Sequence, residues 1–187
     1  MKNPVKFLLT IVIAIIVIIT ATYAYYGGFR SVNFEVKEAG GETMVYTDLT
    51  GDYGQTALYM DTVYYTLLNE YGIATTKGAG IYYDNPQHVE KSKLRSDIGC
   101  LLDSPLDSLK TAQISSKFKI KTIPQKTCTV TEFPFKGFMS VMVGIIKIYP
   151  ALNNYIEENG YKAAGPTMEI YDTPNKTIIY RQEIEKP

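Results

Sequence analysis

The residues with the most chemistry to offer lie in "MEIYDTP", Met168 to Pro174. Glu169 and Tyr171 are two apart, so on a strand they face one side. A carboxylate turned inward needs a partner or a raised pKa, because an isolated buried charge is expensive. Groups of that kind often mark binding and catalytic sites. A near copy, "GIYYDNP", runs from Gly80 to Pro86 and carries Ile81 and Tyr83 at the matching positions. If Ile81 packs inward, Glu169 is expected to point inward as well, near Tyr171 and Tyr83. The plainer alternative is a solvated Glu169 on an edge strand. Tyr46, Tyr64 and Tyr149 are further candidates to wall a pocket, each giving an aromatic face and a hydroxyl. They equally suit a core.

Other chemistry is scarce. The one histidine, His88, lies in a polar loop with no nucleophile motif beside it. Cys100 and Cys128 lack metal-ligand spacing and read as buried thiols, with a disulfide as the alternative in an oxidising compartment. No metal and no cofactor are expected. If the chain is an enzyme, Glu169 is the catalytic candidate.

Two copies of one strand–helix–strand–strand pattern would position these residues. Gly72 and Gly160 each precede the matched tyrosine by eleven positions, and each follows a helix-like stretch, "YMDTVYYTLLNEYG" and "YPALNNYIEENG". Both sit where a helix ends with positive φ, a conformation glycine adopts freely. Upstream, "ETMVYTDL" (42–49) aligns with "KTCTVTEF" (126–133), and "FEVKEA" (34–39) echoes "FKIKTI" (118–123). Copy one is predicted to have strands at about 32–39, 42–49, 77–84 and 95–102 and a helix at about 55–71. Copy two has strands at about 117–122, 126–133, 164–172 and 177–185 and a helical region at about 137–159. Pro150 should start a new stretch there or kink a continuous helix.

The first helix presents Met60, Val63, Tyr64, Leu67, Leu68 and Tyr71 on one stripe, the second Phe138, Met142, Ile145, Tyr149, Leu152 and Ile156. "GFMSVMVGIIKIY" (137–149) is apolar almost all round and is expected to be a central core helix. Covering a pocket, touching a second chain or lying on a bilayer are its other possible roles. "DSPLDSLKTAQISS" between the halves reads as a polar linker. Arg95 and Asp97 are expected to pair with Asp84 across a hairpin. The fold class is α+β: duplicated modules, residues 33–102 and 117–185, forming a pseudo-two-fold antiparallel sheet with two helices. A cleft between the halves is a natural ligand site.

Phe7 to Tyr26, "FLLTIVIAIIVIITATYAYY", contains no charged residue. Twenty residues at about 1.5 Å each match a hydrocarbon core of about 30 Å. Lys2 and Lys6 precede the segment, and Tyr23, Tyr25 and Tyr26 crowd its far end, the pattern of a basic flank and an interfacial aromatic belt. A cleaved signal peptide would have a shorter apolar run and a small-x-small site. Here Thr22-Tyr23-Ala24 is the best match. Residues 1–30 therefore read as one N-terminal transmembrane helix, uncleaved, with a short tether. Residues 31–187 are the domain it holds at the membrane surface. The lysines before the helix favour a cytoplasmic N-terminus, so a bacterial inner membrane with the domain outside the cytoplasm is expected. Nineteen basic residues balance nineteen acidic ones, which leaves no footprint for nucleic acid.

"YPALNNYIEENGYKAAGPTMEIYDTP" resembles the helix–glycine–strand signature of the GyrI-like, or AraC-type effector-binding, domain family. "TGDY" (50–53) resembles that family's turn after the second strand, with Asp52 in place of proline. "GIYYDNPQHVEKSKLRSD" (80–97) is similar to its strand–loop–strand signature. The resemblance covers essentially everything after the anchor, and the anchor resembles that of the family's membrane-anchored branch. It implies two modules with a small-molecule pocket between them and an acidic pocket residue, which by motif position is Glu169. Residues 1–30 leave no room for the DNA-binding domain of the family's transcription regulators. The expected function is a membrane-anchored binding module for a small apolar or cationic molecule. Glu169 would be the counter-charge, and Tyr171, Tyr83, Tyr46, Tyr64 and Tyr149 the aromatic walls. The alternatives are a hydrolase of small reactive compounds in which Glu169 activates water, and an adaptor that recruits a protein at a membrane.

Overall fold

A computed structural model describes residues 4–185. The chain forms α1 (Pro4–Tyr25), β1 (Glu35–Ala39), β2 (Thr43–Thr50), α2 (Thr56–Tyr71), β3 (Lys77–Tyr82) and β4 (Arg95–Leu101). It continues as α3 (Ser108–Ser115), β5 (Lys119–Thr122), β6 (Lys126–Pro134), α4 (Phe138–Glu158), β7 (Lys162–Asp172) and β8 (Thr177–Glu185). All eight strands belong to one antiparallel sheet, in the order β1-β6-β8-β7-β3-β4-β2-β5. The order reads the same from either edge once strands are numbered within their own half. Each half lends its first strand to the other: β1 pairs with β6, and β5 with β2.

That exchange forces the sheet to curl. Six strand intervals separate β1 from β2, about 29 Å in a flat sheet. Only residues 40–42 join them, and a chain of that length reaches about 14 Å from Ala39 to Thr43. The equally short link from β5 to β6 crosses the first, and the two are tied by Gly41 N–H to the Ile123 carbonyl (2.7 Å) and Ile123 N–H to the Glu42 carbonyl (2.8 Å). Gly40 makes the crossing possible. Its φ is +126°, and a Cβ there would stand 2.2 Å from the Pro124 carbonyl oxygen. The crossing caps a core of Met44, Ala79, Ile81, Leu101, Met168 and Ile170, with Ile123 packed on it.

α2 and α4 both lie on the opposite, convex face. α2 buries Val63 and Leu67 against Val45, Cys100 and Ile114. It ends at Gly72, φ +66°, and Gly160, φ +69°, follows α4, as the sequence predicts for both glycines. α4 runs unbroken through Pro150. Its first half does not bury the predicted stripe. Ser140, Val143, Gly144 and Ile148 face the sheet, while Phe138, Met142 and Ile145 are exposed. An all-round apolar sequence carries no information about its inner face. The small residues decide it: a Cβ on Gly144 would lie 2.4 Å from the Tyr180 hydroxyl and 3.3 Å from Phe133. The polar linker also holds a helix, α3, capped by the Asp107 side chain accepting from Lys110 N–H (2.7 Å) and anchored by the buried Ile114.

α1 is long and apolar enough to cross a membrane, and none of it is buried in the domain. Its last residues are less free than a tether. Tyr26 packs against the Phe133 cluster, and Gly27 and Gly28 are buried. Lys136 donates to the Tyr25 carbonyl (2.7 Å) and lies 4.1 Å over the Tyr25 ring; Lys147 donates to the Gly28 carbonyl.

Candidate functional site

β3 and β7 run side by side at the middle of the sheet, where Gly80 stands opposite Glu169 and Gly78 opposite Tyr171. On β7 the alternation puts Thr167, Glu169 and Tyr171 toward the helices and Met168 and Ile170 toward the capped core. On β3 it puts Gly78, Gly80 and Tyr82 toward the helices, with Ala79 and Ile81 on the core side. Ile81 and Glu169 are thus both buried, but on opposite faces, and the expected equivalence of these two positions is off by one residue. The matching that preserves the faces sets Tyr82 with Tyr171 and Gly80 with Glu169.

The glycines make room. A Cβ on Gly80 would fall 2.7 Å from the Tyr82 hydroxyl, so that ring lies back over the strand, toward Glu169. A Cβ on Gly78 would meet the Met60 sulfur at 2.3 Å. Over this floor, between α2 and α4, opens a cavity of about 1630 Å³, walled by Met60, Tyr64 and Tyr65 from α2 and by Met142, Ile145 and Tyr149 from α4. It is roomier than the roughly 300–1,000 Å³ of most small-molecule clefts.

Glu169 is 3% exposed. Tyr149 donates to Oε1 at 2.7 Å and Tyr171 to Oε2 at 2.5 Å. Tyr82 lines the same cavity beside them, and burial, with Glu169 adding to the effect, pushes its phenol up. Tyr180, cross-strand neighbour of Glu169, is buried with its hydroxyl unpartnered. Four tyrosines therefore surround one carboxylate, and among the described residues no ion pair includes it. Burial raises the carboxyl's pKa, and the hydroxyls of Tyr171 and Tyr149 pull it only part of the way back. Burial also pushes the phenols of Tyr149 and Tyr171 well up, with Glu169 adding to the effect, so they are neutral donors. The arrangement can accept a positive charge at the bottom of an aromatic and aliphatic well.

Of the residues singled out in the sequence, Glu169, Tyr171, Tyr149 and Tyr64 come together in this cavity. Tyr83 reaches its margin, but its hydroxyl donates to Asp97 (2.7 Å), a core-side residue. Tyr46 is absent from the cavity wall and packs on the capped core under Lys121, whose ammonium lies 4.3 Å from its ring. Tyr82, Tyr180, Gly78 and Gly80 escaped the sequence reading. The signal was present in "KGAGIYY", where small residues alternate with Ala79 and Ile81 and lead to Tyr82. Elsewhere, Asp84 takes Arg95 in a two-pronged pair (2.8 and 3.0 Å), as expected, whereas Asp97 turns away to Lys121 and Tyr83. Cys100 and Cys128 are free and buried, and burial pushes the Cys100 thiol up to about 11. His88 is exposed.

A three-helix, eight-stranded α+β domain with an aromatic cavity over a buried acid is a small-molecule-binding type. The model of the GyrI-like small molecule binding domain matches residues 33–185, and the chain belongs to that family. It is similar to the human testis-expressed protein 264, 32% identical over 100 residues, covering 51% of this chain and 32% of that protein. The mouse homologue is 31% identical over the same shares. The chain thus spans about a third of the length of these curated relatives. Among solved structures, the EcmrR C-terminal domain superposes with a TM-score of 0.59 at 12% identity, over 83% of this chain and 99% of that one. An uncharacterized conserved protein from Listeria innocua gives 0.55 at 13%, over 82% and 92%. At these identities the structural likeness concerns the fold.

Proposed function

We propose that the domain binds a small, largely apolar cation in the cavity between α2 and α4, with Glu169 as its counter-charge. The observation that carries this reading is a fully buried carboxylate held by two tyrosine hydroxyls, without a cation, in an apolar well. Family membership supports the ligand class at the level of a small molecule. The mirrored strand order supports a further part of the proposal, that residues 33–102 and 117–185 are copies of one module and that the site grew at their junction. α1 serves as a single-pass membrane anchor, with the domain on the non-cytoplasmic side of a bacterial inner membrane.

Glu169→Gln keeps the shape and removes the charge. Titration calorimetry with a lipophilic tertiary ammonium ion, whose N–H can donate to the carboxylate, should show binding to the parent protein. The variant should bind more weakly by about 1.5–3 kcal/mol, the range for charge-assisted hydrogen bonds. Equal affinities would sink the counter-charge role. The hydrolase reading makes the opposite forecast, ligand affinity retained and turnover abolished. An adaptor would bind none of a broad panel of cations.

A further inference from the structure

α4 has an exposed apolar face that the sheet does not cover. Phe138 and Ile146 are 72% and 68% exposed, and Met139, Met142 and Ile145 join them in one stripe. Beyond Pro150 the outer face changes character and carries Asn153, Asn154, Glu157 and Glu158. The apolar part is about 18 Å long, and it stops abruptly. Exposed apolar patches of this kind mark a surface that something covers.

Its position names the cover. Lys136 precedes the stripe and Lys147 follows Ile146, and these two side chains grip the carbonyls of Tyr25 and Gly28, where α1 ends. Tyr23 and the 68%-exposed Phe29 stack edge-on at the same place. If α1 spans a bilayer, this tyrosine-rich end lies at headgroup level, and the stripe clasped to it lies there too. The polar turns after Pro150 are then the part that leaves the membrane. A helix with one apolar face and flanking lysines is suited to lie in that interface.

We infer that the first half of α4 is embedded in the membrane interface, so that the domain is seated on lipid by a second contact besides α1. The inference rests on the reading of α1 as a membrane span. Phe138, Met142, Ile145 and Ile146 also line the cavity, so the rim on this side meets the leaflet. An amphiphilic cation dissolved in the lipid reaches Glu169 by that rim.

The test uses the full chain in phosphatidylcholine nanodiscs. The native cysteines are buried, so a bimane label reports on single introduced positions: Ile146→Cys, Glu157→Cys and Ile15→Cys. Lipids with a nitroxide near the headgroup should quench the label at 146 several-fold more than that at 157. Lipids with a nitroxide deep in the chain should quench the label at 15. If the label at 15 is not quenched, the anchor reading fails, and this inference with it. If 15 is quenched but 146 responds to aqueous iodide and not to lipid, the anchor stands and the inference is overturned. A label at 146 shielded from both quenchers also overturns it, in favour of a protein contact such as a second copy.

Discussion

Glu169 carries a pH signature that its removal should erase. Its pKa is raised in the folded chain, chiefly by burial. Between the ordinary carboxyl value and the raised one, the folded protein holds a proton that the unfolded chain has released. Stability contributed by this group therefore falls as pH rises through that window. Glu169→Gln should be at least as stable as the parent near pH 7, and the gap between them should shrink toward about pH 4. Thermal melts of both proteins across that range check the sign; a gap that widens on acidification would contradict it. A bound cation should reverse the balance, releasing the proton and binding more tightly as pH rises through the same window. How much of this was legible turns on parity. Alternation along "MEIYD" placed Glu169 and Tyr171 together, and "GIYYD" offers two adjacent tyrosines whose side chains point opposite ways. Matching Tyr83 rather than Tyr82 to Tyr171 was a one-residue slip, and such a slip exchanges the faces of a whole strand.

Elements approach one another here at glycines, and those contacts can be probed. Gly144→Ala drives a Cβ into the Tyr180 hydroxyl at the α4–sheet contact and should cost about 1–3 kcal/mol of unfolding free energy, read from denaturant melts. Gly80→Ala meets the Tyr82 ring instead. That side chain can swing only by leaving the neighbourhood of Glu169, so cation affinity should fall along with stability. Loss of the α3 cap in Asp107→Ala should cost about 1 kcal/mol and leave binding untouched, since Asp107 lies outside the cavity. Strand and helix boundaries were readable to within a few residues, because alternation and the helix-ending glycines fix them. The inner face of α4 was not, because apolar residues ring its first three turns. The contact includes Ser140 and Gly144 beside Val143 and Ile148, and those two small residues are the ones a hydrophobic pattern discounts.

At the scale of the molecule, the segment that follows α1 packs into the domain. Tyr26 contributes to the cluster of Phe133, Val143 and Tyr180, and Val32 joins it. A chain beginning at Tyr26 should melt several degrees above one beginning at Ser31, because roughly 1–2 kcal/mol of aromatic burial shifts a domain of this size by about 2–4 °C per kcal/mol. Equal melting temperatures would show that Tyr26 adds nothing to the domain. The overall pattern of two similar halves was legible in repeated glycines, tyrosines and strand spacings. The exchange of first strands was not, since alternation identifies a strand and its buried side but says nothing about its neighbour.

That exchange sets a timetable for synthesis. Glu35 pairs with Val130, 95 positions further along, and β3 finds its outer partner only when β7 has been made. At about 5–20 residues per second, β1 waits roughly 5–20 s for β6. Through that interval the nascent first half has β1 unpaired and lacks the strands that flank β2 and β3 on their outer sides. If α1 is already in the bilayer, this half-built sheet is held beside lipid while its edges stand open. Folding of the domain is therefore tied to completion of the chain, and premature termination anywhere before β7 leaves a fragment with sticky edges rather than a smaller working module.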